Sequence, residues 1–273
     1  MNYRHAFHAG NHGDVLKHLA LVLILDALRR KPAPFAVLDT HAGRSLYDLT
    51  GNEAERSPEW TGGIGRLWGQ GDLPAPLAHF LTVLARFNPD GALRCYPGSP
   101  ALVAEALRER DELAACELHP QEYAALKAAL RGKAGVRVHA RDGWEALGAL
   151  LPPSQRRGLV LIDPPYEAPG EVERAGAALT AALRRFRHGV YLWWRPLKSE
   201  SALNAADSEL ANLGAGEMLR ADLWVDAPRL EGKLLGSSLL IVNPPFGLAE
   251  ALSQCLPTLA DLLAAGQSGW RLR

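Results

Sequence analysis

Residues 158–166 have the sequence Gly158-Leu159-Val160-Leu161-Ile162-Asp163-Pro164-Pro165-Tyr166, and this stretch decides the fold. A short apolar run that ends in an acid and two turn-forming prolines predicts a buried strand and the loop after it. Similar apolar runs stand at Phe35–Asp39, Ala114–Glu117 and Val136–His139. Strands that alternate with helical patterns predict a mostly parallel sheet with helices on both faces.

The C-terminal half continues this alternation. We predict helices at Glu171–Phe186, Ser201–Leu213 and Leu248–Ala265, and strands at Val190–Trp194, Met218–Val225 and Ser237–Val242. The last two strands are close enough in sequence to form a hairpin, so one of them is expected to run antiparallel. The predicted fold class is α/β, with a mostly parallel seven-stranded sheet that contains one antiparallel strand.

Residues 46–97 do not fit the alternation. This segment contains Gly and Pro clusters and one helical pattern, Pro76–Phe87, but no good strand pattern. Its Gly-rich stretch, Gly62–Gly65, does not follow a strand and is interpreted as a turn. We therefore predict an α/β domain of residues 1–45 and 98–273, with a small helical insert of residues 46–97.

Composition excludes several classes of protein. The 273 residues carry 30 basic and 30 acidic side chains, so a polybasic coat for nucleic acid is not expected. Three widely spaced cysteines argue against a disulfide framework and indicate a reducing, cytoplasmic environment. The apolar run Leu19–Leu25 ends at Asp26 and is too short to span a membrane.

Three histidines near the N-terminus, His5, His8 and His12, have a spacing that could place metal ligands on one helical face. Gly10-Asn11 interrupts a continuous helix there, and no cysteine is nearby. We predict no metal site.

Four strands deliver small or acidic residues to one edge of the predicted sheet, the edge at which open parallel sheets bind ligands. Gly43 follows the first strand and lets a ligand approach the backbone. Glu117 follows the second and suits ribose hydroxyls, and Asp142 follows the third and suits the amine of a purine. The pattern indicates a nucleoside-bearing cofactor. Because the chain has no P-loop motif, S-adenosylmethionine is favoured over a dinucleotide.

The Asp-Pro-Pro-Tyr turn after the fourth strand sharpens this interpretation. The carboxylate of Asp163 and the carbonyl of Pro164 can both accept hydrogen bonds from one exocyclic amine, which orients the nitrogen lone pair at a methyl sulfonium. Tyr166 offers a ring face on which an extruded base can stack. A second copy of the pattern, Asn243–Phe246, follows the last predicted strand, away from the cofactor edge, and is interpreted as a structural turn.

The chain resembles the ribosomal RNA large-subunit methyltransferase J family essentially from end to end. The matching motifs are Tyr3–His12, Asp14–His18, Leu38–Gly43, Tyr96–Pro100, Glu117–Pro120, Leu161–Glu167 and Asn243–Pro245. This resemblance implies a Rossmann-like class I methyltransferase fold. It also implies S-adenosylmethionine-dependent methylation of the N6 amine of a single adenine in 23S ribosomal RNA, by a monomer that acts on protein-free RNA or an early assembly intermediate.

The resemblance also implies roles for individual residues. The implied cofactor contacts are His18, His41, Ser99, Glu117, Asp142, Gly143 and Asp163. Asp163 is the implied catalytic residue. The substrate side is expected to contain Tyr3, His5, Lys17, Pro164 and Tyr166. We expect the N-terminal segment to fold over the target adenine and Lys17 to reach a phosphate. The chain has Arg44-Ser45 after Gly43, where the family pattern suggests a small residue and Gly.

Other functions with similar turns stay open at this point. They are methylation of guanine N2 in ribosomal RNA, methylation of adenine N6 in DNA, and a catalytically inactive RNA-binding assembly protein. The N-terminal motif and the lack of a separate target-recognition domain disfavour DNA. An intact Asp163 argues against an inactive protein.

Overall fold

The computed structural model describes residues 4–227 and 234–273. In chain order, the strands are β1 Ala36–Asp39, β2 Leu46–Asp48, β3 Cys95–Pro97, β4 Glu112–Cys116, β5 Val136–His139, β6 Gly158–Ile162, β7 Val190–Pro196, β8 Met218–Trp224, β9 Gly236–Val242 and β10 Gly269–Leu272. The α-helices are α1 His12–Arg29, α2 Asn52–Arg56, α3 Ile64–Leu67, α4 Ala75–Ala85, α5 Ser99–Ala106, α6 Pro120–Ala129, α7 Gly143–Ala149, α8 Glu171–Arg185, α9 Glu200–Asn212 and α10 Leu248–Leu262.

One eight-stranded sheet has the order β10-β8-β9-β7-β6-β1-β4-β5. The strands from β7 to β5 run parallel. Every residue of β6 is buried, because this strand has neighbours on both sides and helices on both faces. The C-terminal ends of β1, β4, β5 and β6 therefore meet at one edge of the sheet.

The predicted number of strands is wrong: the sheet has eight rather than seven, and two of them run antiparallel to the rest. As the predicted hairpin requires, β9 is antiparallel to its neighbour β8, and also to β7. The additional strand, β10, pairs antiparallel with β8. Four residues are too few to show a periodic pattern. A Cβ on Gly269 would lie 2.5 Å from the Trp224 ring, so this strand approaches β8 too closely for a side chain there.

Helices cover both faces of the sheet, as the alternation predicts. Helices α1, α5 and α10 contribute to the apolar core on one face. Helices α7, α8 and α9 contribute to the core on the other face. Within residues 4–227 and 234–273, no helix is long and apolar enough to cross a membrane.

Segment 46–97 contains α2, α3 and α4, and it begins and ends with β2 and β3. These two strands pair antiparallel in a separate small sheet. The expectation of no strand here is wrong, because three-residue strands with a partner far away in sequence leave no local signal. Leu77, Phe80 and Leu84 of α4 lie in the same core as α1. The assignment of this segment as a separate insert stays a prediction.

Candidate active site

A cavity of about 1120 Å³ lies at the edge where β1, β4, β5 and β6 end. Helix α1, the turn before it and part of segment 46–97 form its other walls. Eleven of the twelve predicted site residues line it: His5, Lys17, His18, His41, Ser99, Glu117, Asp142, Gly143, Asp163, Pro164 and Tyr166. The twelfth, Tyr3, lies outside the described residues.

The ammonium group of Lys17 joins two carboxylates in this cavity. Lys17 Nζ donates to Asp14 Oδ1 at 2.8 Å, and also to Asp163 Oδ2. Burial lowers the pKa of Lys17, but the charges of Asp14 and Asp163 outweigh burial and raise it. The buried ammonium group is thus held by two acids, and the phosphate contact expected for Lys17 stays a prediction.

Asp14 ties the N-terminal segment to this cluster. Its Oδ2 accepts a hydrogen bond from Gly10 N–H at 2.8 Å and lies 2.9 Å from His5 Nε2. Burial raises the pKa of Asp14, but the charges of His5 and Lys17 outweigh burial and hold that pKa well below its usual range. His5 thus reaches the Asp163 turn through Asp14 and Lys17, and its place on the substrate side stays a prediction.

The side chain of Tyr166 is fixed by two tryptophans of β7. Its hydroxyl donates to the Trp194 carbonyl at 2.7 Å and accepts from Trp193 Nε1 at 2.7 Å. Tyr166 has a φ of +53°, a left-handed conformation that non-glycine residues rarely adopt. Trp193 is fully buried, whereas Trp194 lines the cavity. The hydrogen bonds hold the Tyr166 ring at the cavity wall.

Glu117 and Asp142 each use backbone N–H groups to fix their position. Glu117 accepts from Gly43 N–H at 2.9 Å and from His119 N–H at 2.7 Å. Asp142 Oδ1 caps α7 by accepting from Trp144 N–H at 2.7 Å. No described group hydrogen-bonds to Asp142 Oδ2. A Cβ on Gly143 would lie 2.2 Å from the Thr40 carbonyl, so only glycine fits where α7 meets the end of β1.

Ser99 covers a fully buried acid at the end of β1. The Ser99 hydroxyl donates to Asp39 Oδ2 at 2.7 Å, and Asp39 Oδ1 has no partner among the described residues. Burial raises the pKa of Asp39 to about 7. When Asp39 is ionised, Ser99 therefore presents an oxygen acceptor, rather than its proton, to the cavity.

His41 has a defined tautomer. The Thr40 hydroxyl donates to the Leu161 carbonyl at 2.8 Å, so it accepts the hydrogen bond from His41 Nδ1 at 2.8 Å. His41 Nε2 is then an acceptor. Burial lowers the pKa of His41 to about 4, which keeps the ring uncharged.

The second Pro-Pro turn, Asn243–Phe246, lies at the opposite edge of the sheet, because β9 runs antiparallel to β7. Asn243 Nδ2 donates to the carbonyls of Arg187 and Gly189 at 2.9 and 2.8 Å. Its side chain joins the end of β9 to the start of β7, as the interpretation of a structural turn predicts.

Sequence reasoning missed three residues of this site: Asp14, Tyr96 and Trp194. Asp14 stands three residues before Lys17 on α1, a spacing that signals an ion pair. Tyr96 contacts His18, and Trp194 lines the cavity. No sequence signal gives these last two contacts, since each depends on tertiary packing.

Comparison with known proteins decides the family. A family model described as Ribosomal RNA large subunit methyltransferase D, RlmJ, matches residues 32–273. Two relatives are named Ribosomal RNA large subunit methyltransferase J. The one from Escherichia coli (strain K12) is 39% identical and covers 98% of this chain and 96% of its own. The one from Haemophilus influenzae is 38% identical and covers 99% of this chain and 97% of its own. The chain belongs to the ribosomal RNA large-subunit methyltransferase J family.

A solved structure has the same fold as this chain over nearly its whole length. The crystal structure of a Legionella pneumophila protein is 33% identical, has a TM-score of 0.90, and covers 97% of this chain and 98% of that one. The predicted family and the predicted Rossmann-like class I methyltransferase fold are confirmed, with the strand number corrected as described.

This member of the methyltransferase J family has Arg44-Ser45 after Gly43. The Arg44 guanidinium pairs with both carboxylate oxygens of Glu122 at 2.8 and 2.7 Å, and Arg44 does not line the cavity. Ser45 has a φ of +77°, the left-handed conformation that suits the glycine of the family pattern. Ser45 therefore adopts a conformation more typical of glycine, and Gly43 forms the cavity wall at this turn.

Two of the three N-terminal histidines of this methyltransferase each contact a different acid. His8 Nδ1 lies 2.8 Å from Glu59 Oε1, and His5 contacts Asp14. Within residues 4–227 and 234–273, no group of three or more His, Cys, Asp or Glu side chains could hold a metal ion.

Proposed function

We propose that this protein transfers a methyl group from S-adenosylmethionine to the N6 amine of a single adenine in 23S ribosomal RNA. The observation that carries the proposal is the end of β6, where the Asp163 carboxylate and the Pro164 backbone line a deep cavity beside a buried lysine. Membership of the methyltransferase J family supports methyl transfer as the reaction, and the names of the relatives support large-subunit ribosomal RNA as the substrate.

The unsatisfied atoms of the cavity fit the proposed cofactor. Asp142 and Glu117 line the cavity, and we expect Asp142 Oδ2 to accept from the adenine amine and Glu117 from the ribose hydroxyls. His18 lines the cavity, and its Nε2 is a buried polar atom without a partner among the described residues, as expected where a polar ligand completes the site. The volume of about 1120 Å³ exceeds that of a typical single-ligand pocket, which leaves room for a base beside the cofactor.

The residues of β6 and α1 orient the target amine. S-adenosylmethionine supplies a methyl group on a positively charged sulfur. Among the described residues no group donates to Asp163 Oδ1, so this oxygen can accept one hydrogen of the amine while the Pro164 carbonyl accepts the other. With the cofactor bound, these two acceptors would aim the nitrogen lone pair at its methyl group, and Asp163 would accept the proton that the amine loses.

Lys17 and Tyr166 position the two partners of that step. Lys17 fixes Oδ2 of Asp163, so the carboxylate cannot rotate away from the amine. The Tyr166 ring, fixed by its hydrogen bonds to β7, is placed to stack on the base. We infer that Tyr3 and His5 close over the same base. We also infer that the protein acts as a monomer in the cytoplasm, on protein-free or early assembly RNA.

Tritium transfer from labelled S-adenosylmethionine tests the proposal, with protein-free 23S ribosomal RNA as acceptor and double-stranded DNA of the same sequence as control. Digestion of the product to nucleosides should yield labelled N6-methyladenosine. Labelled N2-methylguanosine, or transfer to DNA alone, would reject adenine N6 of RNA as the target. No transfer to either acceptor would support an RNA-binding protein without activity.

Asp163→Ala should abolish transfer while leaving S-adenosylmethionine binding measurable by calorimetry. A folded Asp163→Ala variant that transfers methyl groups at nearly the wild-type rate would disprove the role of Asp163.

A further inference from the structure

Tyr96 and His18 form a buried pair beneath the cavity. Tyr96, in β3, is fully buried, and its hydroxyl lies 2.8 Å from His18 Nδ1 on α1. The other ring nitrogen of His18, Nε2, is buried and has no partner among the described residues, and His18 lines the cavity. The pair thus has one end fixed within the protein and one unsatisfied nitrogen at the site.

The hydrogen-bond partners of Tyr96 and His18 determine which atoms of the pair carry a proton. Burial raises the pKa of Tyr96 well above its usual range, so the hydroxyl keeps its proton. His18 Nδ1 is the hydrogen-bond partner that the described residues offer to this proton. If Nδ1 carried a hydrogen, the Tyr96 O–H would be a buried donor without an acceptor, which is costly. Tyr96 therefore donates and Nδ1 accepts.

The opposite nitrogen of His18 must then carry the hydrogen. Burial, reinforced by the charge of Lys17, holds the pKa of His18 well below its usual range, so the ring is uncharged. A neutral imidazole with a protonated Nε2 presents one donor to the cavity. The ligand atom that faces it must be an acceptor.

The acceptor follows from the rest of the site. Glu117 and Asp142 line the cavity with carboxylates that suit the nucleoside end of the proposed cofactor, and Ser99 presents an acceptor backed by Asp39. These groups match hydroxyls, an amine and an ammonium. Of the groups in the methionine part of the cofactor, the α-carboxylate is the acceptor that suits the His18 N–H.

We propose that Tyr96 is a positioning residue that fixes His18 as the Nε2–H tautomer, and that His18 donates a hydrogen bond to the carboxylate of S-adenosylmethionine. This inference rests on the proposed use of that cofactor. It adds to it which end of the cofactor α1 binds, and why a tyrosine stands at position 96.

Two ligands separate this role from a merely structural one. S-adenosylhomocysteine carries the amino-acid end, and 5′-methylthioadenosine lacks it. In Tyr96→Phe, calorimetry should show affinity for S-adenosylhomocysteine falling about three- to tenfold, the worth of one hydrogen bond, and affinity for 5′-methylthioadenosine unchanged. Tyr191→Phe is the matched control, because Tyr191 is equally buried but donates to the carbonyl of Phe186, which unlike His18 does not line the cavity.

Nitrogen-15 NMR of the His18 ring in the free wild-type protein tests the tautomer without any substitution. A protonated Nε2 is expected, and mixed tautomers in Tyr96→Phe. A protonated Nδ1 in the wild-type protein would overturn the proposal, as would equal losses of affinity for both ligands in Tyr96→Phe. If the wild-type protein bound neither ligand, the proposed cofactor would be wrong, whereas the NMR result would still decide the role of Tyr96.

Discussion

Replacing Lys17 with methionine tests whether one buried cation holds the catalytic turn to α1. Methionine keeps the length of the side chain and its apolar contacts but removes the charge between Asp14 and Asp163. Asp14 would keep its hydrogen bond from Gly10 but would stay buried without a lysine partner. We expect Lys17→Met to be strongly destabilised and to lose methyl transfer.

The magnitude follows from the Lys17–Asp14 geometry. At 2.8 Å, two unit charges attract by about 6 kcal/mol at an effective dielectric constant of about 20. Part of this attraction offsets the cost of burying both groups. Removal of one partner from a buried pair typically costs about 3–5 kcal/mol, and that is the expected fall in the free energy of unfolding.

The pH dependence of this loss has a definite sign. The pKa of Asp14 is lowered in the folded protein, so its contribution is present above its unfolded pKa near 4 and is lost as pH falls. The pKa of Lys17 is raised, so its contribution is present below about 10.5 and is lost as pH rises through the folded value. The difference between wild type and Lys17→Met should therefore be largest between about pH 4 and pH 10.

Urea unfolding at pH 7.5 measures the effect, with Lys127→Met on the exposed face of α6 as control. The control should change the free energy of unfolding by less than about 0.5 kcal/mol. The double variant Asp14→Asn/Lys17→Met should regain part of the stability, because it removes the uncompensated carboxylate. A loss below about 1 kcal/mol in Lys17→Met, or no recovery in the double variant, would refute the reasoning.

Three further substitutions test other parts of the site. Because burial raises the pKa of Asp39 to about 7, its carboxylate costs stability as pH rises from about 4 to 7. In urea unfolding without cofactor, the free energy of unfolding of Asp39→Asn should rise relative to that of the wild type by up to about 4 kcal/mol over that pH range. Parallel pH profiles of the two proteins would contradict this. Asn243→Ala should lose about 1–3 kcal/mol of stability but keep transfer within about threefold; a hundredfold slower rate in the folded variant would assign this turn to catalysis. Deletion of residues 1–5 should abolish transfer but retain S-adenosylmethionine affinity, whereas equal loss of both with a lower melting temperature would indicate a structural cap.

The sequence predicts the parallel part of the sheet and the edge that holds the site, because each central strand is a buried apolar run followed by a functional residue. It does not predict β10, β2 or β3, since strands of three or four residues form only through pairing with distant segments. For the same reason, the sequence does not predict which side chains contact the site residues, because these contacts join distant segments. Asp163 lies 146 positions from Lys17, and Tyr96 lies 78 positions from His18.

The two Pro-Pro turns show why a short motif does not determine a site by itself. Asp163 follows β6, which is parallel to its neighbours, so its turn faces the ends of β1, β4 and β5 and the groups that they carry. Asn243 follows β9, which is antiparallel, so its turn faces the start of β7 and finds only backbone carbonyls. Strand direction determines which groups surround each turn. Asn243→Asp would therefore place a carboxylate against two carbonyl oxygens and lose both hydrogen bonds, without creating a second site for a methyl acceptor.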